Sequence, residues 1–177
     1  MEILKKLLPG CFLLQPKRFE DQRGSFVKTH HEGLSQTLGV NLDIKEEFYS
    51  VSHKNVVRGM HFQLPPHAHE KLVYCTRGVV TDVLLDLRKG PGYGTAASAE
   101  LSGENTHLVF IPKGVAHGFL ALTDETLMIY KTSTVHVPEF DCGIRWNSFG
   151  FDWGINDPII SARDLLHSGL AEFSSPF

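Results

Sequence analysis

From residue 71 onward the chain consists of short apolar runs broken by Gly, Pro, Asn and Asp. They are "KLVYCTRG" (71–78), "VVTDVLLDLR" (79–88), "ASAELS" (97–102), "HLVFIPKG" (107–114), "AHGFLALT" (116–123) and "TLMIYKTST" (126–134). Short β-branched or aromatic runs with close turn signals predict strands. Many such strands predict an all-β sandwich or barrel. Within "TDVLLDL", Val83, Leu85 and Leu87 alternate with Asp82, Leu84 and Asp86, the period of a half-buried strand. Helices are minor. Residues 32–39 form one short candidate, closed by Gly39. Residues 161–169 form a clearer one, in which Ser161 and Asp164 have capping-box spacing with Asp in place of the usual Glu.

Length and composition narrow the class. A chain of 177 residues suits one domain, 1–177, with one sizeable core. Its 42% hydrophobic and 21% charged residues are ordinary for a soluble globular protein. A net charge of −3 carries no nucleic-acid footprint, so an anionic ligand must be met by a few placed Arg or Lys. Cys11, Cys75 and Cys142 are too scattered for a disulfide framework or a four-thiolate zinc site, and read as free thiols in a reducing cytoplasm. Lys5 and Lys6 precede an apolar stretch, but Pro9-Gly10 interrupts it, so no export signal is read. No run approaches bilayer-spanning length.

The chemistry concentrates in "VVRGMHFQLPPHAHEKL" (56–72), which admits a metal site or an organic acid–base site. "PKGVAHGF" (112–119) resembles the second half-motif of the cupin superfamily, whose His ligates metal, and His67-Ala68-His69 resembles the first. Metal cupins add a Glu a few residues on; here Leu72, Val73 and Tyr74 stand there, and Glu70 would point to the opposite face of a strand. The Asn that normally follows the second motif's His by four is Ala121. The resemblance therefore supports a cupin-type jelly roll and weakens the metal. A metal-dependent cupin using His67, His69 and His117 for zinc or iron is the competing reading.

A second resemblance covers residues 9–166. "FEDQRGSF", "VRGMHFQLPP", "KLV", "DVLLDLR", "IPKGVAHGF", "YK", "PE", "GIRW", "DW" and "PIISARD" occur in an order similar to that of the nucleotide-sugar 3,5-epimerases typified by dTDP-4-dehydrorhamnose 3,5-epimerase. The resemblance implies a cupin-type double-stranded jelly roll with a short C-terminal helical segment. It implies a cofactor-independent isomerase, without metal, acting on a nucleotide-diphospho-4-keto-6-deoxyhexose. His61 would be the base, Asp164 its partner, Lys71 the cation at the enolate and Tyr130 the acid. Arg23 and Arg58 would grip the diphosphate, where paired guanidinium donors suit phosphate. His117 would line the sugar pocket, and Asp141 joins the substrate-binding set. The family forms homodimers whose N-terminal strands reach the partner's site, so Arg23 would act across the interface. Neither nucleic acid nor membrane is expected as a partner.

Departures from the family pattern cluster away from the base, acid and lysine. Lys28 replaces a Glu, Glu46 and Phe48 replace a Gln-x-Asn pair, and His136 replaces a Tyr. In the family these positions surround the nucleotide. An ionised carboxylate accepts hydrogen bonds and cannot donate, which suits an exocyclic amino group better than a carbonyl. A mono-epimerase on a CDP- or dTDP-linked deoxy-ketosugar is therefore a second expectation. A sugar-nucleotide-binding module without catalysis is a third, disfavoured because base, partner, lysine and acid are all present.

Overall fold

The computed structural model describes residues 1–40 and 42–177. Its strands are β1 (Glu2–Leu8), β2 (Cys11–Gln15), β3 (Arg18–Asp21), β4 (Gly24–Val27), β5 (Glu46–Ser52), β6 (Val57–Gln63), β7 (Lys71–Arg77), β8 (Val79–Asp86), β9 (Ala96–Ser102), β10 (Leu108–Ile111), β11 (Val115–Ala121), β12 (Thr126–Thr132) and β13 (Asp141–Gly143). Two short helices, α1 (Gly33–Leu38) and α2 (Ala162–Leu165), complete the main elements. The strands form an antiparallel six-stranded sheet, β1-β2-β10-β7-β12-β5, and an antiparallel five-stranded sheet, β13-β6-β11-β8-β9. Among the described residues, β3 and β4 pair only with each other. This is a cupin-type jelly roll, and all six strands expected between residues 71 and 134 are present.

Side chains from both sheets meet between them. Val73, Cys75, Val109, Ile111 and Met128 of the first sheet pack with Val80, Leu84, Leu101, Phe119 and Ala121 of the second. Fully burying one such aliphatic side chain contributes about 1.5–3 kcal/mol. The outer face of the six-stranded sheet is closed by Leu34 and Leu38 of α1, packed with Leu72, Tyr74 and Phe110. α1 ends as expected at Gly39, whose φ of 68° is left-handed.

β8 departs from the half-buried expectation. Val83, Leu85 and Leu87 do not face the inter-sheet core; they pack outward against Trp146, Phe149, Trp153, Phe173 and Phe177 of the C-terminal segment. Because that segment covers the outer face, both faces of β8 are buried. Asp82 and Leu84 therefore point between the sheets, and Asp82 is 1% exposed.

The C-terminal helix is shorter than its pattern suggested. Ser161 caps α2 by accepting from the Asp164 N–H at 3.1 Å. The helix then stops after one turn because Leu165 and Leu166 both lie exposed and give it no apolar stripe to bury. Beyond it, the carbonyls of His167 and Ser168 accept from Arg145, fixing the chain against the loop after β13. Among the described residues, no helix is long and apolar enough to cross a membrane.

Candidate active site

The open end of the jelly roll holds a cavity of about 370 Å³. β6 supplies Arg58, His61 and Gln63 to it, β7 Lys71, β11 His117, β12 Tyr130, and β5 Glu46, Phe48 and Ser50. His136, Asp141 and Arg163 line its mouth with His69. Nine of the twelve sequence-derived site residues thus share one cavity, and Asp164 stands directly behind His61.

His61 and Asp164 form a close pair. His61 Nε2 donates to Asp164 Oδ1 at 2.8 Å, while Asp164 Oδ2 accepts the Gly59 N–H at 3.2 Å. Gly59 is required here: its φ is 141°, and a Cβ would lie 2.5 Å from the Gly118 Cα on β11. Burial pushes the His61 pKa down, with the Lys71 and Arg163 cations acting the same way against the pull of Asp164. Burial works to raise the Asp164 carboxyl. The His167 and His61 imidazoles and the Gly59 N–H overcome it and hold the group well below the usual carboxylate range.

Lys71 is buried, and its Nζ donates to the His61 carbonyl at 3.1 Å. Burial pushes its pKa down to about 8, against the pull of Asp141 and Asp82. Tyr130 enters from β12, the neighbour of β7 in the six-stranded sheet, across from His61 on the five-stranded one. Its hydroxyl shares a 3.0 Å hydrogen bond with Ser50, and its ring stacks on Phe48 at 4.8 Å and 13°. Burial drives its pKa upward, only partly offset by the Ser50 hydrogen bond, so the phenol is neutral. His117 lies opposite His61 in the β11–β6 register and donates Nε2 to Asp82 Oδ2 at 2.6 Å.

The departures at the mouth make internal contacts. Glu46 accepts the His136 N–H at 2.7 Å, and His136 Nε2 donates to Asp141 Oδ2 at 3.1 Å. Arg163 pairs with the same Asp141 oxygen at 2.9 Å. Glu46 therefore has one oxygen engaged by backbone, and Phe48 is engaged by Tyr130.

Two expected residues do not line this cavity. Arg23 sits at the exposed tip of the β3–β4 hairpin, paired with Asp21 at 2.6 Å. Lys28 is exposed just beyond β4. Both belong to the segment that pairs with neither main sheet.

The competing metal trio is also not assembled. His67 packs on Phe140 at 4.5 Å, His69 Nδ1 accepts from Gln63 at 3.1 Å, and His117 is held by Asp82. Burial pushes His69 down to about 3. Among the described residues, the one His/carboxylate cluster with ligand-like spacing is His61, Asp164 and His167, within 4.8 Å of one another. The Lys71 and Arg163 charges that depress His61 oppose a further cation there.

Asp82, Ser50, Gln63, Arg163 and His167 were missed as site residues. Asp82 had a signal, a carboxylate in an otherwise apolar strand, but the strand's alternation suggested the wrong face. Ser50 and Arg163 lie within motifs already singled out. His167 follows Asp164 by three and carries no motif of its own.

Fold and cavity together define a cupin-type enzyme with a histidine–carboxylate pair, a buried ammonium and a neutral phenol around one pocket. The family model described as dTDP-4-dehydrorhamnose 3,5-epimerase matches residues 5–172, and the chain belongs to that family. It is 40% identical over 175 residues to dTDP-4-dehydrorhamnose 3,5-epimerase of Methanothermobacter thermautotrophicus, covering 96% of this chain and 94% of that one. The Bacillus anthracis dTDP-4-dehydrorhamnose 3,5-epimerase structure with TDP and PPi bound superposes with a TM-score of 0.92 at 31% identity, over 95% of this chain and 98% of that one. The Legionella pneumophila dTDP-6-deoxy-D-glucose-3,5-epimerase in complex with dTDP-4-keto-L-rhamnose gives 0.93 at 29% identity, over 98% and 94%. The chain is accordingly an epimerase, of the isomerase class.

Proposed function

We propose that the chain inverts carbons 3 and 5 of a dTDP-linked 4-keto-6-deoxyglucose, supplying a 6-deoxyhexose precursor for a cell-surface polysaccharide or a glycosylated metabolite. The observation that carries this reading is the placement of His61 and Tyr130. They stand on different sheets and line one cavity, with the Lys71 ammonium bonded to the His61 backbone.

The chemistry follows from the groups present. A 4-keto group acidifies the protons on the carbons beside it. His61 Nε2 is held by Asp164, which leaves Nδ1 as the atom that takes such a proton. Burial, Lys71 and Arg163 keep the ring neutral beforehand, and Asp164 stabilises the imidazolium formed. Lys71 meets the charge developing on the ketone oxygen. Tyr130 then delivers its proton to the opposite face of the same carbon, and exchange with water restores both groups. The sequence is a proton relay around an enolate and needs no redox cofactor or metal.

Arg58 grips the diphosphate from within the chain. Arg23 reaches a second diphosphate in the partner of a homodimer. That assignment is supported by the hairpin carrying it, which leaves Phe19 and Phe26 50% and 60% exposed, and by Tyr49 at 69% on the open edge strand β5. A reducing cytoplasm suits the free cysteines, and burial pushes Cys75 up to about 11 and Cys11 up to about 12.

The test is product analysis. Purified chain is given dTDP-4-keto-6-deoxyglucose, and the sugar configuration is read by NMR. Inversion at both carbons supports the reading. Inversion at one replaces it with a mono-epimerase. No turnover with this substrate, but turnover of a CDP-linked 3,6-dideoxy-4-ketohexose, overturns the choice of nucleotide.

A further inference from the structure

The catalytic dyad has a third member that the proton relay does not use. His167 lies just beyond α2, with its side chain 13% exposed. Its Nε2 stands 3.5 Å from the Oδ1 of Asp164 that His61 contacts, at the limit of hydrogen-bond reach, has no closer partner among the described residues and is sealed from solvent. Its ring meets that of His61 edge-on at 5.7 Å and 74°. The slot holding it exists because residue 143 is glycine. Gly143 pairs with His61 in the β13–β6 register, and a Cβ there would collide with the His167 ring. Gly143 does not have a left-handed φ, so its lack of a side chain serves the neighbouring ring and not its own backbone.

We propose that His167 is a positioning residue: it shares the Asp164 carboxylate with His61 and packs against its ring, fixing the base's orientation and moderating the carboxylate's pull on it. This inference rests on His61 being the base. A carboxylate that faces two imidazole donors has less charge to offer either one. A neutral His167 therefore lowers the affinity of His61 for a second proton, and a protonated one would do so by repulsion. Both act in the same direction. The other charged or titratable groups around His61 are Asp164 and Arg163 on α2, Lys71 on β7, His117 on β11, Tyr130 on β12 and Asp141 on β13. None of them is altered by substituting residue 167 or 143.

The experiment is a titration of the His61 ring by NMR in the substrate-free protein, paired with the pH profile of kcat/KM. His167→Phe keeps an edge-packed ring and removes the donor. Gly143→Ala leaves His167 in the sequence and pushes its ring from the slot. In both, the His61 midpoint and the acid limb are expected to move up by about half a pH unit or more, with kcat falling about three- to tenfold and KM within about twofold. His167→Gln, which restores a donor, returns the limb towards its starting position. If His167→Phe does not fold, His167→Asn, too short to reach the carboxylate, takes its place. Folded variants with an unmoved His61 midpoint would overturn the proposal. A parent protein that turns over no substrate would defeat the catalytic reading instead, and the ring titration would still decide this one.

Discussion

His117 and Asp82 meet diagonally across the β11–β8 pairing, with Nε2 2.6 Å from Oδ2. Both side chains are almost wholly buried, and Asp82 Oδ1 has no hydrogen-bond partner among the described residues. The pair is therefore a structural commitment, and its histidine also lines the cavity. His117→Leu leaves a buried carboxylate without its donor and is expected to lower stability by about 3–5 kcal/mol in urea unfolding. The double variant His117→Leu/Asp82→Leu should recover part of that loss. Equal or greater loss in the double variant would show that packing, and not the orphaned charge, sets the cost.

Lys71 sits in the cavity wall at the expense of stability. Its ordinary value of 10.5 falls to about 8, so burial disfavours the cation in the folded chain. For a base with a lowered folded pKa, the penalty is fully present below about 8 and fades as pH rises towards 10.5. Lys71→Met is expected to raise stability by about 3 kcal/mol at pH 7, to lose that advantage by about pH 10.5, and to remove activity. Thermal unfolding at the two pH values, beside an activity assay, checks both halves. A Met variant that is less stable at pH 7 would show that the ammonium is better satisfied than its surroundings imply.

Under the proposed mechanism the same ammonium is expected to set the alkaline limit of activity. His61 must be neutral to accept a proton, and its pKa is pushed down, so its limb lies on the acid side. Lys71 must be charged to meet the enolate. The profile of kcat/KM is expected to fall as pH rises through about 8. Tyr130, pushed upward, contributes no limb below that. A profile flat to pH 10 would remove Lys71 from the enolate.

Phe48 and Ser50 hold the phenol from β5, one by its face and one by its hydroxyl. Loss of the aromatic stack in Phe48→Ala should cost about 0.5–1.5 kcal/mol of stability. Activity should fall less than in Tyr130→Phe, for which removal of a general acid predicts a loss of about 10²–10⁴ in kcat. Stopped assays on the two variants compare them directly. A Phe48 variant as inactive as Tyr130→Phe would make the stack essential for placing the acid.

Much of this was legible because motifs are local. Lys71 and Tyr130 sit on β7 and β12, in short apolar runs that also announced those strands, while His61 on β6 was legible through its motif alone. Asp164 was legible both as a helix cap partner and as a motif residue; its backbone N–H meets Ser161 while its side chain meets His61. What was not legible depends on distant packing. Asp82 could not be placed inside until the C-terminal aromatic residues were seen to cover the outer face of β8. His167 faces Asp164 only because the slot opposite Gly143 is open. Arg23 and Lys28 lie outside this chain's cavity, on or just beyond a hairpin that pairs with neither main sheet among the described residues; for Arg23 the family resemblance had implied a role across an interface. β1 through β6 and β13 were not outlined as strands, since their mixed polar and apolar residues give weaker alternation than the 71–134 runs.

Proton exchange in heavy water tests the central claim most directly. Wild-type chain and His61→Ala would each be incubated without added metal with dTDP-4-keto-6-deoxyglucose, and the proton signals at carbons 3 and 5 followed by NMR. The account predicts loss of both signals with wild type and retention of both with the variant. Exchange that persists at the wild-type rate in His61→Ala would contradict it, because the base would then lie elsewhere in the cavity.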